Sequence, residues 1–325
     1  MAVLKQGAIV NMDKLSQNRR QALQTLGLTA GAALLNTSVS AMRVSRKTNA
    51  AFKYSLNMST IRGQQLGFIK ELQVAAKAGF TSVEIWIDTF QTYLQTGGTT
   101  TEANKIIADL GITIENAIGF AKWIVDDKAT RQAALKQLQT EMDLLAQIGC
   151  HRIAAPPSGA TGLPLINLDV ITERYVTILE MGTKTGVIPM VEMWGGSANL
   201  KRIAEVLYVA TASGHKNALV LLDSFHIYKG GSSLESLAFV GKNAIEIFHM
   251  NDYPAGIVPA KISEPDRIYT GDGIAPLKQI LQTIKNPNKP IVLSLEVFNE
   301  SYYKQDALLV AKTGLAKMKA ITEDI

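Results

Sequence analysis

From residue 52 onward the chain alternates short apolar runs with longer amphipathic stretches. The runs fall at 52–58, 82–87, 113–119, 152–156, 188–193, 219–223, 244–249 and 291–296. Each is short enough for a strand, and most are predominantly apolar, as expected of strands covered on both faces. Between them, apolar positions recur at helical spacing over 64–78, 101–110, 129–148, 168–185, 198–211, 233–240, 275–284 and 305–321. Several helix-to-strand joins carry glycine (Gly79, Gly111, Gly149, Gly186, Gly214) where a helix end favours a left-handed residue. Strand–helix alternation of this kind predicts βα units and a parallel sheet. Eight units without a linker predict an α/β protein with a single (β/α)8 TIM barrel domain over 52–325. An open doubly wound sheet is the alternative, weakened because no glycine-rich phosphate fingerprint follows the first run.

The residues before 52 follow a different pattern. Arg19-Arg20 precedes an uncharged run of 14 residues, 22–35, and then Val39-Ser40-Ala41. That order is the basic, apolar and cleavage region of an export signal. Residues 1–41 are therefore expected to be a signal peptide and 42–51 a short linker, with the mature protein periplasmic. The paired arginines are twin-arginine-like, although Asn18 and Ala22 depart from the usual flanking residues. Met12 is a second candidate start. The run is too short to cross a bilayer of about 30 Å, so no permanent membrane anchor is expected.

Charge sharpens this division. The chain carries a formal +5, yet residues 1–51 hold seven bases and one acid, leaving 26 bases and 27 acids for the rest. A duplex-binding domain would carry its surplus on the folded body, so nucleic acid is not an expected partner. One cysteine, Cys150, excludes an internal disulfide framework or a multi-cysteine metal site, and four histidines limit any histidine-rich cluster. Homo-oligomerisation stays open.

Barrel active sites form where strands end. Reading those positions alone gives Glu192, Asp223, His249 and Glu296, at the ends of the fifth to eighth runs. Buried strands exclude charge unless it is paired or bound to a metal. Three carboxylates and one imidazole at one mouth point to one divalent metal ion; Mn²⁺, Mg²⁺, Co²⁺ and Zn²⁺ all suit this donor set. Trp86, Trp123 and Trp194 lie near strand ends and suggest an apolar wall for a sugar ring. Asn251 and Asp252, just past His249, are candidates for substrate contact or for ordering the loop, with Asp252 the expected contact. Glu84 and Glu115 are weaker candidates for orienting ligands, with a structural polar role the simpler reading.

The ordered set Glu192, Asp223-x-x-His226, His249, Arg267 and Glu296 resembles the xylose isomerase-like barrels, which include ketose 3-epimerases. The resemblance runs from about residue 52 to the end of the sequence. It implies metal binding by Glu192, Asp223, His249 and Glu296, and substrate contact by His226 and Arg267. The stretch Arg267-Ile268-Tyr269-Thr270-Gly271-Asp272-Gly273 resembles the family's Arg-x-x-Pro-Gly-x-Gly turn, with Thr270 in place of proline. The ketose epimerases carry a second substrate-binding glutamate soon after the first ligand. Here Gly195-Gly196-Ser197-Ala198-Asn199 follows instead, which argues against a simple ketohexose substrate.

The implied activity is isomerisation or epimerisation of a small carbohydrate through an enediolate, with Glu192 and Glu296 removing and returning the proton. A metal-dependent lyase or dehydratase on the same barrel is the main alternative, and an inactive exported sugar-binding protein the non-enzymatic one. An endonuclease IV-type repair enzyme is excluded by the few histidines and by a body that is not basic.

Overall fold

The computed structural model describes residues 51–325. The expected signal peptide, and the linker up to residue 50, lie outside the described residues. The strands are β1 Phe52–Asn57, β2 Ser82–Trp86, β3 Thr113–Ile118, β4 Arg152–Ala155, β5 Ile188–Glu192, β6 Leu219–Asp223, β7 Ile247–Met250 and β8 Ile291–Leu295. All pair in parallel and in sequence order, and β8 returns to β1 (Phe52 opposite Ile291, Leu56 opposite Leu295), closing the barrel. The eight strands with helices between them form a single TIM-barrel domain, as the alternation of patterns predicts.

Both ends of the barrel carry charge, for different reasons. At the N-terminal end Arg152 donates from Nε to Glu246 Oε2 (2.6 Å), and Lys289 Nζ reaches Glu246 Oε1 (2.7 Å). Glu115 pairs with Lys53 and, at 3.5 Å, with Arg152. Glu115 thus belongs to the plug that closes the barrel floor, not to the mouth. Opposite charges paired this way let polar residues fill the narrow end of the barrel without leaving an isolated buried charge.

The helical stretches depart from the periodicity in informative places. In the stretch beginning at 64, Gln64 ends a 3-10 helix, Met58–Gln64, and the α-helix starts only at Phe68, after Gly67 takes a positive φ of 79°. The stretch over 233–240 forms only a 3-10 turn, Leu234–Phe239. The helix expected from 198 begins at Ile203. Leu200 has a φ of 54°, and the Asn199 side chain bonds to a neighbouring loop, so the segment before it cannot wind into the helix. Two short helices follow strands directly, Ile87–Gln95 after β2 and Ser224–Gly230 after β6. The second starts there because Asp223 acts as its N-cap, accepting from His226 N at 3.0 Å. Among the described residues, no helix is long and apolar enough to cross a membrane.

Candidate active site

Each of the last four strands delivers one ionisable residue to the C-terminal mouth. Glu192 closes β5, Asp223 closes β6, His249 lies in β7 and Glu296 directly follows β8. Register explains their convergence: Asp223 is opposite His249, and Met250 is opposite Leu295, the residue before Glu296. Asp223, His249 and Glu296 present ligand atoms that all lie within 4.8 Å of one another. Glu192 is not part of that trio but lines the cavity above it together with Glu296.

His249 is held from behind. Its Nε2 meets the Glu84 carboxylate at 3.1 Å, and Glu84 in turn accepts from Asn116 (2.8 Å) and Asn57 (3.2 Å). Asn57 also donates to Glu296 Oε1 at 3.0 Å, while its carbonyl oxygen accepts from Trp86 Nε1 and Ser59 N. A proton on Nε2 directed at Glu84 leaves Nδ1 to face Glu296 (3.0 Å) and Asp223 (3.9 Å). This carboxylate–histidine arrangement commonly orients a metal-binding imidazole. Burial pushes the Glu84 carboxyl up, but the His249 charge and the hydrogen bonds reverse this and hold it below its usual value.

Arg267 enters the same cluster from the β7–β8 connection. Its Nη1 donates to Asp223 Oδ2 at 2.7 Å and to Glu296 Oε2 at 2.9 Å. Its Nη2 pairs with Glu264 and lies 3.3 Å from His226 Nε2. The guanidinium carbon sits over the rings of Phe225 (4.5 Å) and Phe298 (5.1 Å). Burial would raise the Asp223 carboxyl, yet Arg267 and the nearby histidines hold it low. Asn251 fixes the Asp223 oxygen further, donating to Oδ2 at 3.0 Å and to the Glu296 carbonyl at 3.2 Å.

Glu192 and His226 each leave a buried polar atom without a hydrogen-bond partner. Glu192 is buried, Oε2 has no hydrogen-bond partner, and burial with help from Glu296 pushes its carboxyl up to about 8. Burial pulls His226 down to about 4, so its imidazole is neutral. Arg267 can only donate, so His226 Nε2 is the acceptor and Nδ1 carries the proton, without a partner. His226 thereby holds a donor in reserve on a cavity-lining residue.

The cavity has a volume of about 250 Å³. That is just below the usual range for drug-sized ligands and suits one small ring. Its wall is an aromatic arc: Phe298 lies 6.2 Å from Trp86, Trp86 5.2 Å from Phe120, and Phe120 6.2 Å from Trp194. Trp86 and Trp194 therefore stand where an apolar wall was expected, joined by Phe120 and Phe298, which had no distinguishing local pattern. Gly196 and Ser197 line the cavity at the place of the absent second glutamate. Any side chain at Gly195 would collide with the His226 carbonyl and the backbone nitrogen of Gly230.

Two expected substrate contacts are not part of this lining. Trp123 is buried, donates from Nε1 to the Pro156 carbonyl at 2.9 Å and packs on Tyr175. Asp252 is buried and accepts from the backbone nitrogens of Tyr253, Gly271 and Ala275, so it organises the loop carrying Arg267. Both are structural because their polar atoms are already spent on backbone. Asn57, Asn116 and Glu264 are the site residues that sequence reading left unassigned, whereas Asn251, singled out beside Asp252, holds the Asp223 carboxylate.

A TIM barrel with acids and an imidazole gathered at its mouth is a common enzyme architecture. The chain belongs to the xylose isomerase-like TIM barrel family, whose pattern it matches over residues 72–321. Among characterised proteins it is similar to an inosose isomerase of Bacillus velezensis. The two are 31% identical over 203 residues, 60% of this chain and 70% of the relative. Among solved structures it resembles IolI protein with a binding zinc atom, with a TM-score of 0.76 and 20% identity over 84% of this chain and 98% of that one. It also resembles D-psicose 3-epimerase in the presence of D-fructose, with a TM-score of 0.67 and 18% identity over 83% and 99% of the two chains.

Proposed function

We propose that this protein is a divalent-metal-dependent isomerase or epimerase of a small carbohydrate or ring polyol bearing a ketone. The observation that carries the reading is the buried Asp223–His249–Glu296 trio beneath a cavity that also holds the unpartnered Glu192 oxygen. The donor set suits a divalent ion, since two carboxylates and an imidazole face each other and Glu84 fixes the tautomer that leaves Nδ1 free. The inosose isomerase relatives and the zinc in a neighbouring fold support a metal-assisted reaction of this class.

Asp223, His249 and Glu296 would hold the ion, with Glu192 the candidate fourth ligand. When bound, such an ion polarises a substrate carbonyl and acidifies the adjacent C–H bond. The protein's own part is positional. Glu192 and Glu296 reach the cavity from strands three apart, so they approach a bound ring from different sides. One removes the carbon-bound proton and the other returns it; return to the opposite face gives epimerisation, and to the neighbouring carbon gives isomerisation. His226 Nδ1–H donates to a substrate oxygen, and the aromatic arc keeps water from the ring face.

The test begins with elemental analysis of the purified protein, followed by solvent-deuterium exchange with ring ketones and ketoses. Glu296→Gln is expected to retain metal and to lose exchange by about 10³-fold. Undiminished exchange in that variant refutes the assignment, and net dehydration of a substrate would place the protein among the lyases instead.

A further inference from the structure

Resting on that reading, we propose that Glu264 is a specificity-determining residue: it occupies the remaining face of Arg267 and so restricts the site to electrically neutral substrates. Among the described residues lining the cavity, Arg267 is the only Lys or Arg. An arginine at a sugar site would ordinarily offer a fork to a phosphate or carboxylate. Here the fork is already committed. Nη1 holds Asp223 and Glu296, Nη2 holds Glu264, and the guanidinium is fully buried between Phe225 and Phe298. The one nitrogen left over, Nε, is buried as well.

The neighbouring cations do not substitute for it. Lys229 donates from Nζ to the Ile262 carbonyl, and Arg62 stacks over the Trp86 indole at 3.9 Å without joining the lining. Glu264 also adds a negative charge at the cavity edge, where its side chain is 43% exposed. It is held by a short 3-10 turn, Glu264–Asp266, that Ser263 and Asp266 close with a capping box. A phosphorylated or carboxylated sugar would therefore bring its charge against Glu264 with no free Lys or Arg among the described lining residues to receive it. Like charges brought together in such a site repel and weaken binding. The polar handles that remain, His226 Nδ1 and the small residues Gly196 and Ser197, suit hydroxyl and carbonyl groups.

The test measures binding to the metal-loaded protein by quenching of tryptophan fluorescence, since Trp86 and Trp194 line the cavity. The probes are matched pairs: 2-ketoinositol with its monophosphate, and D-fructose with D-fructose 6-phosphate. The neutral member of at least one pair is expected to bind at least about tenfold more tightly than its phosphate. Glu264→Gln keeps the side-chain shape and is expected to narrow that ratio by about tenfold, chiefly by improving phosphate binding. Phosphates that bind as well as the neutral members, or a ratio unchanged by Glu264→Gln, overturn the proposal. Failure of the isomerase reading is separable: neutral ligands would then bind with the same preference but show no exchange of a carbon-bound proton.

Discussion

His249 illustrates how one side chain acquires a defined role from its neighbours. Burial alone would lower its pKa, but the carboxylates of Glu296 and Glu84 outweigh this and raise it well above the usual imidazole value in the chain alone. The two carboxylates act differently. Glu84 lies behind the ring, fixed by Asn116 and Asn57, and has no other evident task, whereas Glu296 borders the cavity. Replacing Glu84 with Gln leaves a hydrogen-bonding group but removes the charge that holds the Nε2 proton. Metal affinity is expected to fall 10- to 100-fold, measured by equilibrium dialysis against a chelator, while the fold is retained. Affinity equal to that of the parent would show that Glu84 only fills space. The four strand-end residues were legible because a charge closing an apolar run is anomalous on its own. Glu84 was legible only as a weaker candidate and Asn57 and Asn116 not at all, because a single polar residue within a strand looks the same whether it supports a ligand or caps a neighbouring backbone. Glu115 makes the point from the other side: it resembles Glu84 in sequence but pairs with Lys53 and Arg152 at the barrel floor.

At the scale of elements, the segment after β5 does most to shape the cavity. Its periodicity suggests a helix, but the Asn199 side chain is used to tie down the loop after β4. Asn199 Nδ2 donates to the Ala160 carbonyl at 2.8 Å and lies 3.4 Å from that of Gly162, and its Oδ1 accepts from Ile166 N at 2.9 Å. Thr161, in the loop so held, lines the cavity, and its carbonyl accepts from Ala198 N at 2.7 Å. One buried amide thus couples two βα loops on the substrate side. Asn199→Ala leaves these backbone groups without partners, a loss of about 1–3 kcal/mol. The expected result is faster amide exchange over 160–166 and a KM raised roughly three- to tenfold with a smaller change in kcat. Asn199→Asp, which keeps the acceptor for Ile166, should recover part of the loss. Equal effects on KM and kcat without loosening of the loop would argue against a positioning role. Loop contacts of this kind are long-range and leave no local period, which is why Phe120, Phe298 and Glu264 were unassigned while the strands and most helices were readable.

For the whole molecule, closure of the barrel decides which buried charges the fold can tolerate. The floor charges are paired and the mouth charges surround a site, but Glu71 has neither arrangement. It lies on the helix Phe68–Ala78, is buried, and has its carboxyl raised to about 7 by burial first and by Asp88 second, with Arg62 opposing. An acid with a raised folded-state pKa binds its proton more tightly in the folded than in the unfolded chain. Its contribution to stability is therefore fully present below about pH 4.5 and is lost as pH rises through 7. The rise from 4.5 to about 7 corresponds to a penalty of about 3 kcal/mol at pH 8. Glu71→Gln removes the charge without changing the shape of the side chain. The variant is expected to match the parent in unfolding free energy near pH 4.5 and to exceed it by about 3 kcal/mol at pH 8, with the difference growing between these limits. Denaturant titrations of both proteins across that range read the effect directly. A constant difference at every pH would mean that Glu71 acts through packing, and a difference that grows toward acid would mean that its carboxylate is stabilised, not strained, by the fold.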